Sequence, residues 1–276
     1  MVSTHQQTIN DLLAQHPGVV SLFVQRLDGE VLLDRAGEDV FPSASIIKVP
    51  LLIRALQHVQ QGKLTLNQRI VMGGQDRVTG SGVLRELDAG LEPTLRDLLV
   101  LMTIVSDNTA TNLVIKQLGV EDVNAFLAEQ QLHDTALIGQ LQLSDNLLNE
   151  RQRAGEQNRT SARDMVALLR ELVCGSLLPS EATTVALDIL TRQRHKDIIG
   201  RHVPTDKDGE LLYRVASKGG ALPGIRHDVG IVWTPEPLII AVLSSGGSDP
   251  RYHPDNHEVQ LLARVAGHIL VHFGGG

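Results

Sequence analysis

Two hydrophobic periods alternate along the chain, and the switch points divide it. Residues 4–15 carry Ile9, Leu12 and Leu13 at helical spacing, and Pro17-Gly18 ends the run. Residues 19–25 and 31–34 are short β-rich runs separated by Asp28-Gly29, a hairpin signal. The polar loop Phe41-Pro42-Ser43-Ala44-Ser45 then gives way to Ile46, Ile47, Val49, Leu51, Leu52 and Ile53. That run predicts a helix to about Gln61, ending near Gly62. Pro50 lies inside it and lacks a backbone donor, which predicts a kink or a late helix start.

Helical periodicity dominates residues 63–200. It predicts helices over 94–104, with Thr94 and Asp97 as a capping pair, and over 109–118, closed by Gly119. Further helices are predicted over 122–131, 161–173 and 180–192. Residues 132–158 are polar and poorly periodic, and a loop of that length in a compact domain is usually functional or mobile. Beta character returns at 211–217, 225–234 and 238–244, after the turn Asp206-Lys207-Asp208-Gly209. A last helix over 255–271 sets Val259, Leu262, Val265, Ala266 and Ile269 on one stripe. The order of strands, helices, strands and helix implies an α/β (α+β) architecture. Residues 1–62 and 201–276 would form one discontinuous subdomain, with an all-helical subdomain, 63–200, inserted between them.

Composition narrows the function classes. Hydrophobic residues are 42% of 276 and aromatics only 3%, so the core must be built mainly from Leu, Val, Ile and Ala. A net charge of -7 argues against a nucleic-acid partner, which requires a basic surface. Cys174 is the only cysteine, which excludes an intrachain disulfide; its place at a helix end predicts a buried, inert thiol. The longest apolar run, Leu98–Val105, falls far short of the ~18 residues that span a membrane. Met1–Gln6 shows no secretion signal, so the expectation is a cytoplasmic chain, or a periplasmic or secreted one whose leader has been removed. None of the 11 histidines falls in His-x-His-x-Asp or His-Glu-x-x-His spacing, so neither a zinc centre nor any other cofactor is expected.

Candidate chemistry begins with Ser45 and Lys48, three residues apart and therefore on one face of a helix. A serine hydroxyl needs a neighbouring base to become a nucleophile. A lysine amine can be that base where burial or positive neighbours lower its pKa. Two more polar clusters follow: Ser106-Asp107-Asn108 after the 94–104 helix, and Lys218-Gly219-Gly220-Ala221 at the end of a β run. Ser-Asp-Asn recurs at 144–146, but only the first copy is followed by Thr-Ala-x-Asn-Leu and lies 61 residues after Ser45. A helix-capping use of 106–108 is the alternative.

In this order and spacing, Ser-x-x-Lys, Ser-Asp-Asn and Lys-x-Gly resemble the class A β-lactamase and penicillin-binding serine hydrolase family, over nearly the whole chain. The resemblance implies a five-stranded antiparallel sheet flanked by N- and C-terminal helices, with the helical subdomain inserted. It implies Ser45 as nucleophile, Lys48 as proton acceptor or relay, and Ser106 as donor to the departing nitrogen. Asn108 would hold the substrate's side-chain amide, and Lys218 its carboxylate. The N–H groups of Ser45 and Ala221 would form the oxyanion hole, and Gly219 and Gly220 would let substrate backbone approach the strand. Arg226 would be a second carboxylate anchor, a partner of Asp228, or a solvent-facing strand residue.

Two departures from the family pattern stand out. Asp145 occupies the place of the glutamate that activates the hydrolytic water, one methylene shorter; Asp145 could instead cap a turn, with Glu150 or Glu156 reaching the site. Gly219 lacks the hydroxyl that Thr or Ser supplies there, and Ser217 is too far along the strand to replace it. The expected activity is opening of β-lactam rings through an acyl-enzyme on Ser45. The alternatives are a D-alanyl-D-alanine carboxypeptidase or esterase, and a sensor that stays acylated. The expected partner is a small β-lactam or acyl-D-Ala substrate, with no nucleic acid and no membrane segment, and the chain is expected to be a monomer.

Overall fold

Strands from the two ends of the chain meet in one sheet, and most of the helices lie between them in sequence. The structure, a computed structural model, describes residues 4–275. Met1–Ser3, where the expectation about a leader begins, lie outside the described residues. Helix α1 (Thr4–Leu13) precedes the hairpin β1 (Val19–Arg26) and β2 (Val31–Arg35), and β3 (Phe41–Pro42) leads to α2 (Lys48–Gln60). Then come α3 (Leu95–Ile104), α4 (Asn108–Leu118), α5 (Val120–Glu129), α6 (Glu150–Arg153), β4 (Arg159–Thr160), α7 (Ala162–Val173) and α8 (Ser180–Thr191). The chain closes with β5 (Val215–Leu222), β6 (Ile225–Val232), β7 (Leu238–Ser245) and α9 (His257–Phe273). The five long strands form an antiparallel sheet in the order β2-β1-β7-β6-β5, so the fold is the α/β class expected.

Both faces of this sheet are covered, which explains why β7 reads as an unbroken apolar run. Its residues alternate between two cores. Leu238, Ile240 and Val242 pack with Ile9, Leu12, Leu262, Val265 and Ile269 of α1 and α9. Ile239, Ala241 and Leu243 pack on the opposite side with α2, α3, α4, α7 and α8. Helix α2 runs through that second core, and Leu51, Leu52, Ile53 and Leu56 are all buried there. Each such side chain contributes about 1.5–3 kcal/mol relative to an exposed one, so the helix bearing Lys48 is firmly fixed.

Pro50 is the third residue of α2, where its missing N–H falls among the four that have no helical acceptor. The late start is what the structure shows. The Thr94–Asp97 capping box forms as the spacing predicts. Two expectations need correction. Strand β5 starts at Val215, not 211, and continues through Lys218-Gly219-Gly220-Ala221, because every residue of it pairs with β6. Cys174 is exposed: it is the residue that ends α7, and only a weak Sγ contact of 3.9 Å to the Leu27 carbonyl engages it.

The polar stretch 132–158 contains a 3-10 turn at Asp145–Leu147 and the short helix α6. Asn158 anchors its end. The Asn158 Oδ1 accepts from the N–H groups of Ile138 and Gly139, and its carbonyl accepts from Ser43 N–H at 2.7 Å. With the β3–β4 pairing of Phe41 to Thr160, this ties the loop to the segment just before Ser45. No helix among the described residues is long and apolar enough to cross a membrane.

Candidate active site

A change of helix type positions Ser45 and Lys48. The 3-10 turn Ala44–Ile47 carries Ser45 and runs directly into α2, whose first residue is Lys48. Ala44 has a φ of 45° and Ser106 a φ of 58°, left-handed conformations that cost a residue with a Cβ about 1–3 kcal/mol. At Ser106 this geometry turns both its carbonyl and its hydroxyl toward Lys48. The Lys48 Nζ lies 2.7 Å from the Ser106 carbonyl, 3.0 Å from Ser106 Oγ and 2.8 Å from Asn108 Oδ1.

Asp107 holds this turn from behind. Its Oδ1 accepts from Ala110 N–H, capping α4, while Oδ2 accepts from Val83 and Leu84 N–H at 2.6 and 2.8 Å. The 81–84 loop is thereby pinned against Ser106. Gly82 makes the fit feasible: its φ is +111°, and a Cβ there would lie 2.4 Å from the Asp107 Cα. Capping by 106–108 and placement of Ser106 are therefore one arrangement, not alternatives.

From the opposite side β5, the edge strand, brings Lys218. Its Nζ donates to Ser106 Oγ at 3.1 Å and to the Gly219 carbonyl at 2.6 Å. One hydroxyl thus lies between two amines, both almost wholly buried, with Lys48 at 1% and Lys218 at 2% exposure. Burial pushes the Lys48 amine well below its ordinary value, and the nearby Lys218 charge pushes it further. Burial also lowers Lys218, to about 7, against the attraction of Asp228. A neutral Lys48 amine has two N–H donors and one lone pair. It can donate to the Ser106 carbonyl and Asn108 Oδ1, which leaves its lone pair free to accept a proton from a neighbouring hydroxyl.

Ser45, half-buried, opens with Ser81, Ser106, Lys218, Gly219, Gly220, Ala221 and Arg226 into a cavity of about 530 Å³. Gly220 meets the backbone of the Ser45 turn closely: a Cβ there would lie 3.0 Å from Ser45 N and 3.1 Å from the Ala44 Cβ. Gly219 has more room, with nothing nearer than the His227 carbonyl at 3.6 Å. Asn108 is committed on both sides, since Nδ2 donates to the Thr79 carbonyl at 3.0 Å.

Two candidate residues are placed differently from the rest. Arg226 lines the cavity, yet its guanidinium donates to the carbonyls of Leu222, Ile225 and Arg251 and sits 5.0 Å from the Tyr252 ring. It neither pairs with Asp228 nor faces solvent. Asp145 is exposed at the start of its 3-10 turn, and no residue of 132–158 is among those lining the cavity. Glu150 is exposed as well, and Glu156 is paired with Arg151. Ser81, Arg194, His195, Tyr252 and His253 also line the cavity and belong to no motif. The glycines on both sides of Ser81 are the one sequence feature that marks its place at the cavity.

Residues 4–273 match the family described as the β-lactamase enzyme family. The chain is 33% identical over 214 residues to the β-lactamase of Bacillus licheniformis, a match covering 75% of this chain and 65% of that relative. Among solved structures, a β-lactamase from Sphaerobacter thermophilus superposes with a TM-score of 0.84 at 30% identity, covering 96% of each chain. A mutant of PBP-A, solved as an acyl-enzyme complex with penicillin-G, gives 0.80 at 26% identity, covering 96% of this chain and 94% of that one. The chain belongs to the β-lactamase enzyme family.

The two glycines separate cleanly in substitution. Gly219→Ala is expected to shift stability by no more than about 0.5 kcal/mol, whereas Gly220→Ala costs about 1–3 kcal/mol by pushing backbone on backbone. Urea unfolding of both variants checks this, and equal effects would contradict the contact geometry.

Proposed function

We propose that this chain is a serine hydrolase that opens β-lactam rings through an acyl-enzyme on Ser45. The observation that carries the reading is the buried, charge-depressed Lys48 amine one turn from Ser45 and in contact with Ser106. Ser45 Oγ attacks the lactam carbonyl as its proton passes to Lys48. The ring C–N bond breaks, and Ser106 gives its hydroxyl proton to the departing nitrogen, to be reprotonated by the Lys48 ammonium. The N–H groups of Ser45 and Ala221 receive the developing oxyanion; one such donor is worth about 2.7–4 kcal/mol in the transition state. Lys218 attracts the substrate carboxylate. Arg194, at the exposed rim of the cavity, supplies the second positive group in place of Arg226, whose donors are spent on backbone carbonyls. The Gly219-Gly220 edge contacts the substrate's backbone, while Asn108, outside the cavity lining and with both ends of its amide engaged, holds Lys48 rather than the substrate's side-chain amide.

Release of the acyl group is the slower half of this reaction. Asp145, the proposed activator of water, is one methylene short and stands outside the cavity lining. That placement favours a second reading of the same site, in which the acyl-enzyme persists, as expected of a sensor or of a carboxypeptidase met by a β-lactam.

Incubation with a chromogenic β-lactam, followed by both turnover and intact mass, tests the reading. The expected result is a mass increase of one substrate, absent in Ser45→Ala, with acylation faster than turnover. Asp145→Asn is expected to slow deacylation less than tenfold. No adduct and no turnover would overturn the proposal. Lys218 should also impose a pH dependence. Its positive charge is present below about 7 and is lost as pH rises through that value, so KM for an anionic β-lactam should rise between pH 6 and 8.5. Lys218→Arg, which stays charged, should flatten that rise; an unchanged profile would contradict the role.

A further inference from the structure

The buried imidazole of His227 has no part in the proton transfers above, yet it lies beneath the place where the nucleophile and β5 converge. His227 is opposite Gly220 in the β5–β6 ladder, so the two residues share a face of the sheet. Gly220 in turn abuts Ser45 N. The ring is 1% exposed and makes two hydrogen bonds. Its Nδ1 accepts from Ser244 N–H of β7 at 3.1 Å. That leaves the proton on Nε2, which donates to the Pro42 carbonyl at 2.9 Å. Phe41 packs edge-on against the ring at 6.0 Å.

These contacts join the two walls of the oxyanion hole. One wall is the backbone of Ser45, three residues after Pro42. The other is Ala221 on β5, whose position follows from β6 through the register Ala221↔Arg226. The two walls meet across no covalent connection shorter than most of the chain. His227 links the sheet to the other wall: it is fixed to the interior of the sheet by Ser244 and reaches the segment before Ser45 at Pro42. The opposite side of that segment is held by Ser43 N–H on the Asn158 carbonyl. A group at this place sets the spacing of two N–H donors, and an error near 1 Å in such an arrangement costs about 100-fold in rate. Burial keeps the ring neutral, pushing it down to about 4, so the one-acceptor, one-donor tautomer holds across the working range.

We infer that His227 is a positioning residue for acylation: a neutral strut from β6 to Pro42 that sets the width of the oxyanion hole. The inference rests on the acyl-enzyme reading of Ser45.

Two variants separate the strut from general packing. His227→Gln places its amide nitrogen near the Nε2 position and keeps the bond to Pro42. His227→Asn places its amide oxygen near the Nδ1 position and stops short of Pro42. Each is assayed for single-turnover acylation by a chromogenic β-lactam and for affinity toward an aryl boronic acid, which bonds reversibly to the serine oxygen. The apparent substrate dissociation constant before acylation is measured alongside. The expected result is that Gln stays within about threefold of wild type. Asn should lose ten- to hundredfold in acylation rate and in boronate affinity, with the dissociation constant nearly unchanged. Equal behaviour of the two variants, or a loss confined to substrate binding or to melting temperature, would overturn the strut. If wild type reacts with no β-lactam, the functional reading fails, and the boronate affinities still decide the role of His227.

Discussion

Two lysine amines are buried against one serine hydroxyl, and the rest of the site depends on how that is tolerated. Removing an ammonium from water costs several kcal/mol, and the protein relieves this by lowering the charge. Burial lowers both amines; Lys48 is pushed down further by the Lys218 charge and partly restored by Asp107, whereas Lys218 is partly restored by Asp228 and faces no such opposing cation. The outcome is an asymmetric pair: one amine equipped to accept a proton, and one that keeps positive charge into the neutral range. Ser106, rotatable and in contact with both, is the group through which they communicate.

Holding that pair together requires three parts of the chain that are remote in sequence. Lys48 is fixed by α2, the helix running through the larger core. Ser106 is fixed by Asp107, which caps α4 and pins the 81–84 loop with one carboxylate. Lys218 comes on the edge of the sheet, where two glycines let the strand approach the Ser45 turn. Left-handed backbone at Ala44 and Ser106 is accepted at the two points where side chains must be aimed, and the surrounding cores make it affordable.

Much of this was legible in the sequence because it was written locally. The apolar stripe of α9, the Thr94–Asp97 cap and the Asp28-Gly29 turn each rest on neighbours a few residues apart. The three motifs point to Ser45, Lys48, Ser106 and Lys218, which the structure brings together, since their order and spacing are themselves sequence properties. The failures share a different cause. The apolar pattern sets β5 too early because glycines read as strand ends, and only pairing with β6 carries it through them. At Cys174 the helix end falls where the pattern predicts it, but the residue that closes α7 faces outward, not into the core. The carbonyls that occupy Arg226 arrive from residues 222, 225 and 251, and the cavity wall at Arg194 and Tyr252 is assembled purely by tertiary structure. Distant backbone partners leave no pattern at the residue they satisfy.

The central claim is that Lys48 carries a neutral amine at physiological pH while Lys218 titrates near it. Nitrogen-15 NMR of the lysine side chains, assigned with Lys48→Met and Lys218→Met, measures both directly. The account predicts one amine titrating well below the ordinary lysine range and another near 7. If both titrated above 10, Lys48 could not take the Ser45 proton at neutral pH, and the proposed route to the acyl-enzyme would be wrong.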